Sequence, residues 1–197
     1  GSEIVIASLA RAGTPVGVLL VRALRALGIP SVHYSISIIR DRGVDTVALD
    51  YILARHRPED VVFVDGWTGK GSIAGELESS VAAYNQTRGA LLEPKLAVVV
   101  DLAGVAEIAV TAEDYLIPSS ILNAVVSGLV SRTLLDEGLV RRGEFHACVY
   151  YAQLGPHDLS RYFVDVLSPK VAAFLTGVAP VDWSPAKRAA LRETSEG

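Results

Sequence analysis

The chain has 197 residues, half of them hydrophobic, and a formal net charge of −4. That composition, with no unbroken apolar run long enough to span a bilayer, predicts one well-cored globular domain and no membrane partner. The negative balance argues against nucleic acid as a partner, since phosphate-backbone binding needs clustered Lys and Arg. The single cysteine, Cys148, rules out an intramolecular disulfide and fits a reducing cytoplasm. Methionine is absent and the chain opens Gly1-Ser2-Glu3 straight into a strand, which reads as a trimmed piece with Gly-Ser left from a tag.

Residues 3–9 (EIVIASL) read as a buried first strand that runs directly into Arg11-Ala12-Gly13-Thr14-Pro15. Pro15 suits the first turn of a helix, residues 16–27 supply it with apolar residues, and Gly28 ends it. Residues 31–38 (SVHYSISI) form a β-rich run carrying His33, Ser35 and Ser37 on one face, with His33 read as a structural histidine. Arg40-Asp41-Arg42-Gly43 follows, and residues 44–57 then predict a helix with a mixed apolar face.

The next stretch organises the chain. Val61 to Val64 are apolar, Asp65 stops the run, and Gly66-Trp67-Thr68-Gly69-Lys70-Gly71-Ser72 leads into a helix over residues 73–84. Strand, glycine-rich turn and helix N-terminus make an anion cradle, to which Lys70 adds a full charge. A Walker A loop fails, because Gly71 follows Gly69-Lys70 and Val64 stands where the first glycine belongs. The spacing Gly66, Gly69, Gly71 does not make a dinucleotide fingerprint either. An ordinary tight turn would explain the glycines but not Lys70 and Ser72 beside them.

Residues 85–94 connect to a third buried strand over 95–101 (KLAVVVD), which ends in Asp101. Residues 108–110 predict a short strand, and 117–135 a helix with Ser119 or Ser120 near its cap. Residues 145–154 (FHACVYYAQL) predict another strand and 157–174 an amphipathic helix; Arg188 and Arg192 fall on a last short helix before a fraying end. Three strand-loop-helix units with non-alternating apolar strands predict an α/β fold. It is an open parallel twisted sheet with helices on both faces and right-handed crossovers, plus a C-terminal cap or hood. The core spans about 3–101, edge strands and hood about 102–180, and a tail 181–197.

The run VVFVDGWTGKGS at 61–72 resembles the ribose-phosphate loop of the type I phosphoribosyltransferases, and Arg11-Ala12-Gly13 after the first strand resembles that family's pyrophosphate loop. Within the family, RAGTP at 11–15, HYSISIIRDRG at 33–43 and VDGWTGKGS at 64–72 resemble a bacterial clade tied to tellurite-resistance-type stress operons, commonly fused to a Pelota-like RNA-binding domain. The resemblance implies an enzyme, a phosphoribosyltransferase. It would use phosphoribosyl pyrophosphate or a related sugar phosphate with Mg2+ and transfer the phosphoribosyl group to or from a base-like nucleophile in a stress response. Asp65 would hold the ribose hydroxyls, with Gly66 standing where a second acid belongs and Asp101 as its nominated helper. Trp67, Thr68, Gly69, Lys70, Gly71 and Ser72 would wrap the 5-phosphate, Arg11, Ala12 and Gly13 would hold pyrophosphate, and Arg40 or Arg42 would neutralise developing charge. Ser35 and Ser37 are second-rank lining residues. Mg2+ would be held mainly through the substrate and in part by Asp65, and a homodimer is open.

Two other functions fit the same residues. A non-catalytic sensor of a phosphoribosyl ligand would carry the same loops. A cysteine hydrolase would rest on Cys148 with His146, His157 or Asp158. Against it, a lone cysteine between Ala147 and Val149 in a strand reads as a small buried hydrophobe, although His146 would share its face.

Overall fold

The computed structural model describes residues 3–114, 124–126, 140–141 and 143–177. The helix expected over 117–135 and the tail with Arg188 and Arg192 lie outside the described residues. A parallel sheet runs β2 (Ser31–Ile39), β1 (Ile4–Ala10), β4 (Val61–Trp67), β5 (Leu96–Val100), β6 (Ile108–Thr111). The two-residue β3 (Gly43–Val44) pairs antiparallel with the end of β2. This is the open parallel α/β sheet expected, and its central strands β1, β4 and β5 are apolar without strict alternation because both of their faces are covered.

Side chains of β1 divide with period two. Val5, Ala7 and Leu9 join a core built with α2 (Thr46–Leu53) and α3 (Ser72–Arg88), through Leu49, Ile52, Leu77 and Val81. Ile6 turns to the opposite face, where Val21 of α1 (Gly13–Ala26) and Val64 cover it. Ser8 also lies on that face, wholly buried, and its Oγ shares a 2.6 Å hydrogen bond with His33 Nε2. Burial lowers the His33 pKa, so the imidazole is neutral there. A second helix, α4 (Ser160–Leu175), lies against α1, where Arg22 bonds Asp165 Oδ1 at 3.0 Å and Ser168 Oγ at 2.8 Å.

The chain passes from β1 outward to β2 and then returns to the other side of β1 as β4, so the strand order reverses between β1 and β4. Crevices outside the carboxyl ends of strands at such a reversal are where open α/β sheets bind ligands. The loops after β1 and β4 flank this point, and the start of α1 packs against the β4 backbone. A Cβ on Gly13 would lie 3.0 Å from Asp65 Cα and would collide with the Val64 carbonyl oxygen, so only glycine lets α1 begin there.

Two elements differ from expectation. β4 continues through Asp65 to Trp67, with Asp65 paired to Val98 and Trp67 to Val100, so the acid belongs to the sheet and not to the loop. The strand expected over 145–154 shrinks to β8 (Val149–Tyr150), paired antiparallel with β7 (Val125–Val126) and followed by a 3-10 turn over Ala152–His157. Residues 145–148 form no regular element and join no sheet.

Candidate active site

A cavity of about 570 Å³ opens at the carboxyl end of β1 and β2, and its described lining is mostly apolar. Arg11 comes from the turn before α1 and Thr14 from its first turn, Ser35 and Ser37 from β2, and His146 and Cys148 from the segment before β8. Cys148 is exposed, which corrects the expectation of a small buried hydrophobe. It is not enclosed because the strand predicted around it does not pair until Val149.

Asp45 fixes this segment. Its Oδ1 caps α2 by accepting from the Val47 and Ala48 N–H groups, both at 3.0 Å, as an aspartate at this position does. Its Oδ2 accepts from the His146 backbone N–H at 2.7 Å. The His146 ring is held in turn by Nδ1, which shares a 3.2 Å hydrogen bond with Ser37 Oγ. Burial lowers the His146 pKa and the nearby Asp45 charge only partly offsets it, so the imidazole is a neutral base at pH 7. Behind Cys148, β8 is tied to β7, and the Arg11 guanidinium donates through Nη1 to the Val125 carbonyl at 3.1 Å. Asp158 is held below the usual carboxylate range by the Ser160 hydroxyl, and by the Ala124 N–H at 2.9 Å and the Ser160 N–H at 2.8 Å, which outweigh its burial. His157 ends the 3-10 turn; neither it nor Asp158 lines the cavity among the described residues.

The glycine-rich loop lies apart from this cavity. Asp65 is buried, its Oδ1 accepts from the Gly66 N–H at 2.7 Å, and burial raises its pKa to about 6 against that bond. Thr68 is committed elsewhere: its hydroxyl donates to Asp101 Oδ1 at 2.8 Å. Asp101 also accepts from the Val105 and Ala106 N–H groups at 3.2 and 2.8 Å. Burial opposes its ionisation, but the bonds from Ala106, Thr68 and Val105 outweigh that and hold the carboxyl below the usual range. Asp101 therefore anchors the turn after β5, while the Asp65 carboxyl accepts from its own neighbour Gly66. Gly69 and Gly71 take left-handed φ of 55° and 80°, Lys70 and Trp67 are exposed, and Gly71 leads into Ser72 at the start of α3.

Arg40 and Arg42 sit in the tight turn between β2 and β3, which the Asp41 N–H ties to Glu76 at 2.9 Å. They are exposed, and neither lines the cavity. Ala12 and Gly13 form the entry to α1, while Ser35 binds Thr14 across the cavity at 2.7 Å between hydroxyl oxygens. The structure thus brings Arg11, Ser35, Ser37, His146 and Cys148 together and leaves Asp65 to Ser72 outside. Asp45 went unnoticed in the sequence; an aspartate just before a helical pattern is the signal that finds it.

Fold and site define an open α/β protein that presents a cysteine and a histidine in one cavity at the carboxyl end of its sheet. The chain belongs to the tellurite-like stress resistance cysteine protease StiP family, whose model matches residues 1–168. It is 40% identical over 201 residues to the cysteine protease StiP of Acinetobacter baylyi, covering 98% of this chain. The chain spans 52% of that relative's length. Among solved structures it is similar to a hypoxanthine phosphoribosyltransferase from Trypanosoma cruzi in complex with the product IMP, with 18% identity, a TM-score of 0.41, and 76% of this chain and 75% of that chain covered. A glutamine mutant from a study of an invariant aspartic acid in HPRTs gives 17% identity and a TM-score of 0.40, with 76% of each chain covered.

The family overturns the phosphoribosyltransferase expectation. The stress-resistance clade stands, but the curated relative is named a cysteine protease and not a glycosyl-transferring enzyme. No described helix is long and apolar enough to cross a membrane.

Proposed function

We propose that the chain carries the catalytic site of a cysteine hydrolase that cleaves peptide bonds in a stress-resistance setting. The observation that carries this reading is the presence of exposed Cys148 and tethered, neutral His146 in one cavity, on either side of Ala147. Family membership supports it independently.

The chemistry follows from the two groups. His146 takes the Cys148 thiol proton, and the sulfur attacks the peptide carbonyl carbon, forming a C–S bond and placing negative charge on the carbonyl oxygen. The N-terminal end of α1, bounded by Arg11 and Thr14 at the cavity wall, supplies positive potential where that oxyanion forms. The C–N bond then breaks as the imidazolium returns its proton to the leaving amine. Water, deprotonated by His146, attacks the thioester, which releases the carboxylic acid and restores the thiol. Asp45 and Ser37 hold His146 in place, and neither reacts.

The test is hydrolysis of unfolded casein and of a mixed peptide panel by the 197-residue chain and by Cys148→Ala and His146→Ala. Both variants should lose at least about a hundredfold in kcat/KM, the usual scale for removing an acid–base or nucleophilic group. Cleavage that persists in Cys148→Ala would overturn the assignment.

A further inference from the structure

We propose that the substrate is an extended peptide that pairs as an added strand with the open edge of β2, setting a bulky aromatic or branched apolar side chain into the far end of the cavity. This rests on the cysteine-hydrolase reading and specifies what that site accepts.

Along a strand, successive residues turn their N–H and C=O groups to alternate edges. The Ser37 carbonyl accepts from the Asp45 N–H at 2.9 Å, on the side away from β1. Ser35, two residues earlier, therefore turns its N–H and C=O to the same side. β3 pairs only with Ile38 and Ile39, and among the described residues no strand continues along that edge. Ser35 is exposed and lines the cavity with Cys148 and His146. An unpaired edge beside a thiol is a template for an extended chain: main-chain bonds hold it and alternate side chains select it.

The selecting surface is aromatic. Tyr34 meets Tyr51 edge-on at 6.1 Å between centroids, and Tyr51 meets Phe145 edge-on at 6.3 Å. With Ile36, Ala48 and Ile52 these rings line the end of the cavity on the α2 side. Tyr51 and Phe145 remain 43% and 54% exposed; the Arg55 guanidinium stacks over the Tyr51 ring at 3.6 Å, and the rest of this aromatic surface is open to a ligand. The rings already meet edge-on, which lowers the cost of ordering them around an entering side chain. A strand on the β2 edge directs every second side chain to this α2 side, and the neighbours between them to Thr14 and Arg11 on the α1 side.

The test uses the full chain and a peptide library varied at the residues flanking the cleaved bond, read by mass spectrometry. Phe, Tyr or Leu should exceed Ala, Asp and Lys at one flanking position by at least about tenfold in kcat/KM. Tyr51→Ala should lower that ratio. Ser35→Pro removes the edge N–H without touching the β1 ladder and should lower kcat/KM at least about tenfold more than Ser35→Ala does. N-methylation of the best peptide at one backbone nitrogen near the cleaved bond should cost a similar factor, a readout that stands if Ser35→Pro fails to fold. Cleavage with flat or charged preference, or indifference to both Ser35→Pro and N-methylation, overturns the inference alone. Absence of any Cys148-dependent cleavage would instead sink the hydrolase reading and this inference with it.

Discussion

Asp65→Asn should make the protein more stable at neutral pH. Asp65 is only 8% exposed, and its carboxyl accepts from the Gly66 N–H. Burial raises its pKa from 3.8 to about 6. At about 1.4 kcal/mol per pH unit, the ionised form costs the folded state about 3 kcal/mol. The sign is that of an acid whose folded pKa lies above its unfolded one. Below about pH 4 both states hold the proton and there is no penalty. Between 4 and 6 the unfolded chain releases it first and stability falls; above 6 the full cost is present. Asparagine keeps an acceptor for Gly66 and never ionises, so its advantage should be near zero at pH 4 and reach up to about 3 kcal/mol at pH 7, or about 6 to 12 °C in Tm for a domain of this size. Urea denaturation of both proteins from pH 4 to 7.5 measures it. A stability difference that does not grow with pH, or a variant less stable at pH 7, would refute the reasoning.

The acid limb of the kcat/KM profile for peptide cleavage should fall below pH 6.5, because the base must be neutral and burial lowers the His146 pKa; a limb above 7 would argue for another base. The lowered pKa values of His33 and His146 should also make the folded state lose stability as pH drops through 6.5, where the unfolded chain takes up protons first. Asp45→Ala, which strips the cap from α2 and the anchor from the His146 N–H, should cost about 2 kcal/mol in urea denaturation and lower kcat/KM more than it raises KM. Gly13→Ala should destabilise by about 1–3 kcal/mol, since its Cβ meets the β4 backbone; an unchanged Tm would mean that α1 starts elsewhere.

The sheet was legible from the sequence because parallel strands buried on both faces leave a local mark: short apolar runs such as residues 3–9 and 95–101, each followed by a turn. Their order also placed Arg11-Ala12-Gly13 just after the first strand, whereas Asp65, read as the end of its strand, lies within β4. The local motif at 64–72 was conspicuous for its glycines, yet nothing in its spacing could tell that the Thr68 hydroxyl is taken by Asp101, 33 residues away. Tertiary structure alone decided the cysteine. Whether residue 148 is a buried hydrophobe or an exposed thiol depends on whether residues 145–148 join a sheet, and alternation in sequence is the same in either case. The pairing of His146 with Asp45 and with Ser37 spans 101 and 109 residues. Periodicity reports which face of its own element a residue occupies; which distant element that face meets is set by packing of the whole chain, and the thiol, imidazole and open edge of β2 become one site only there.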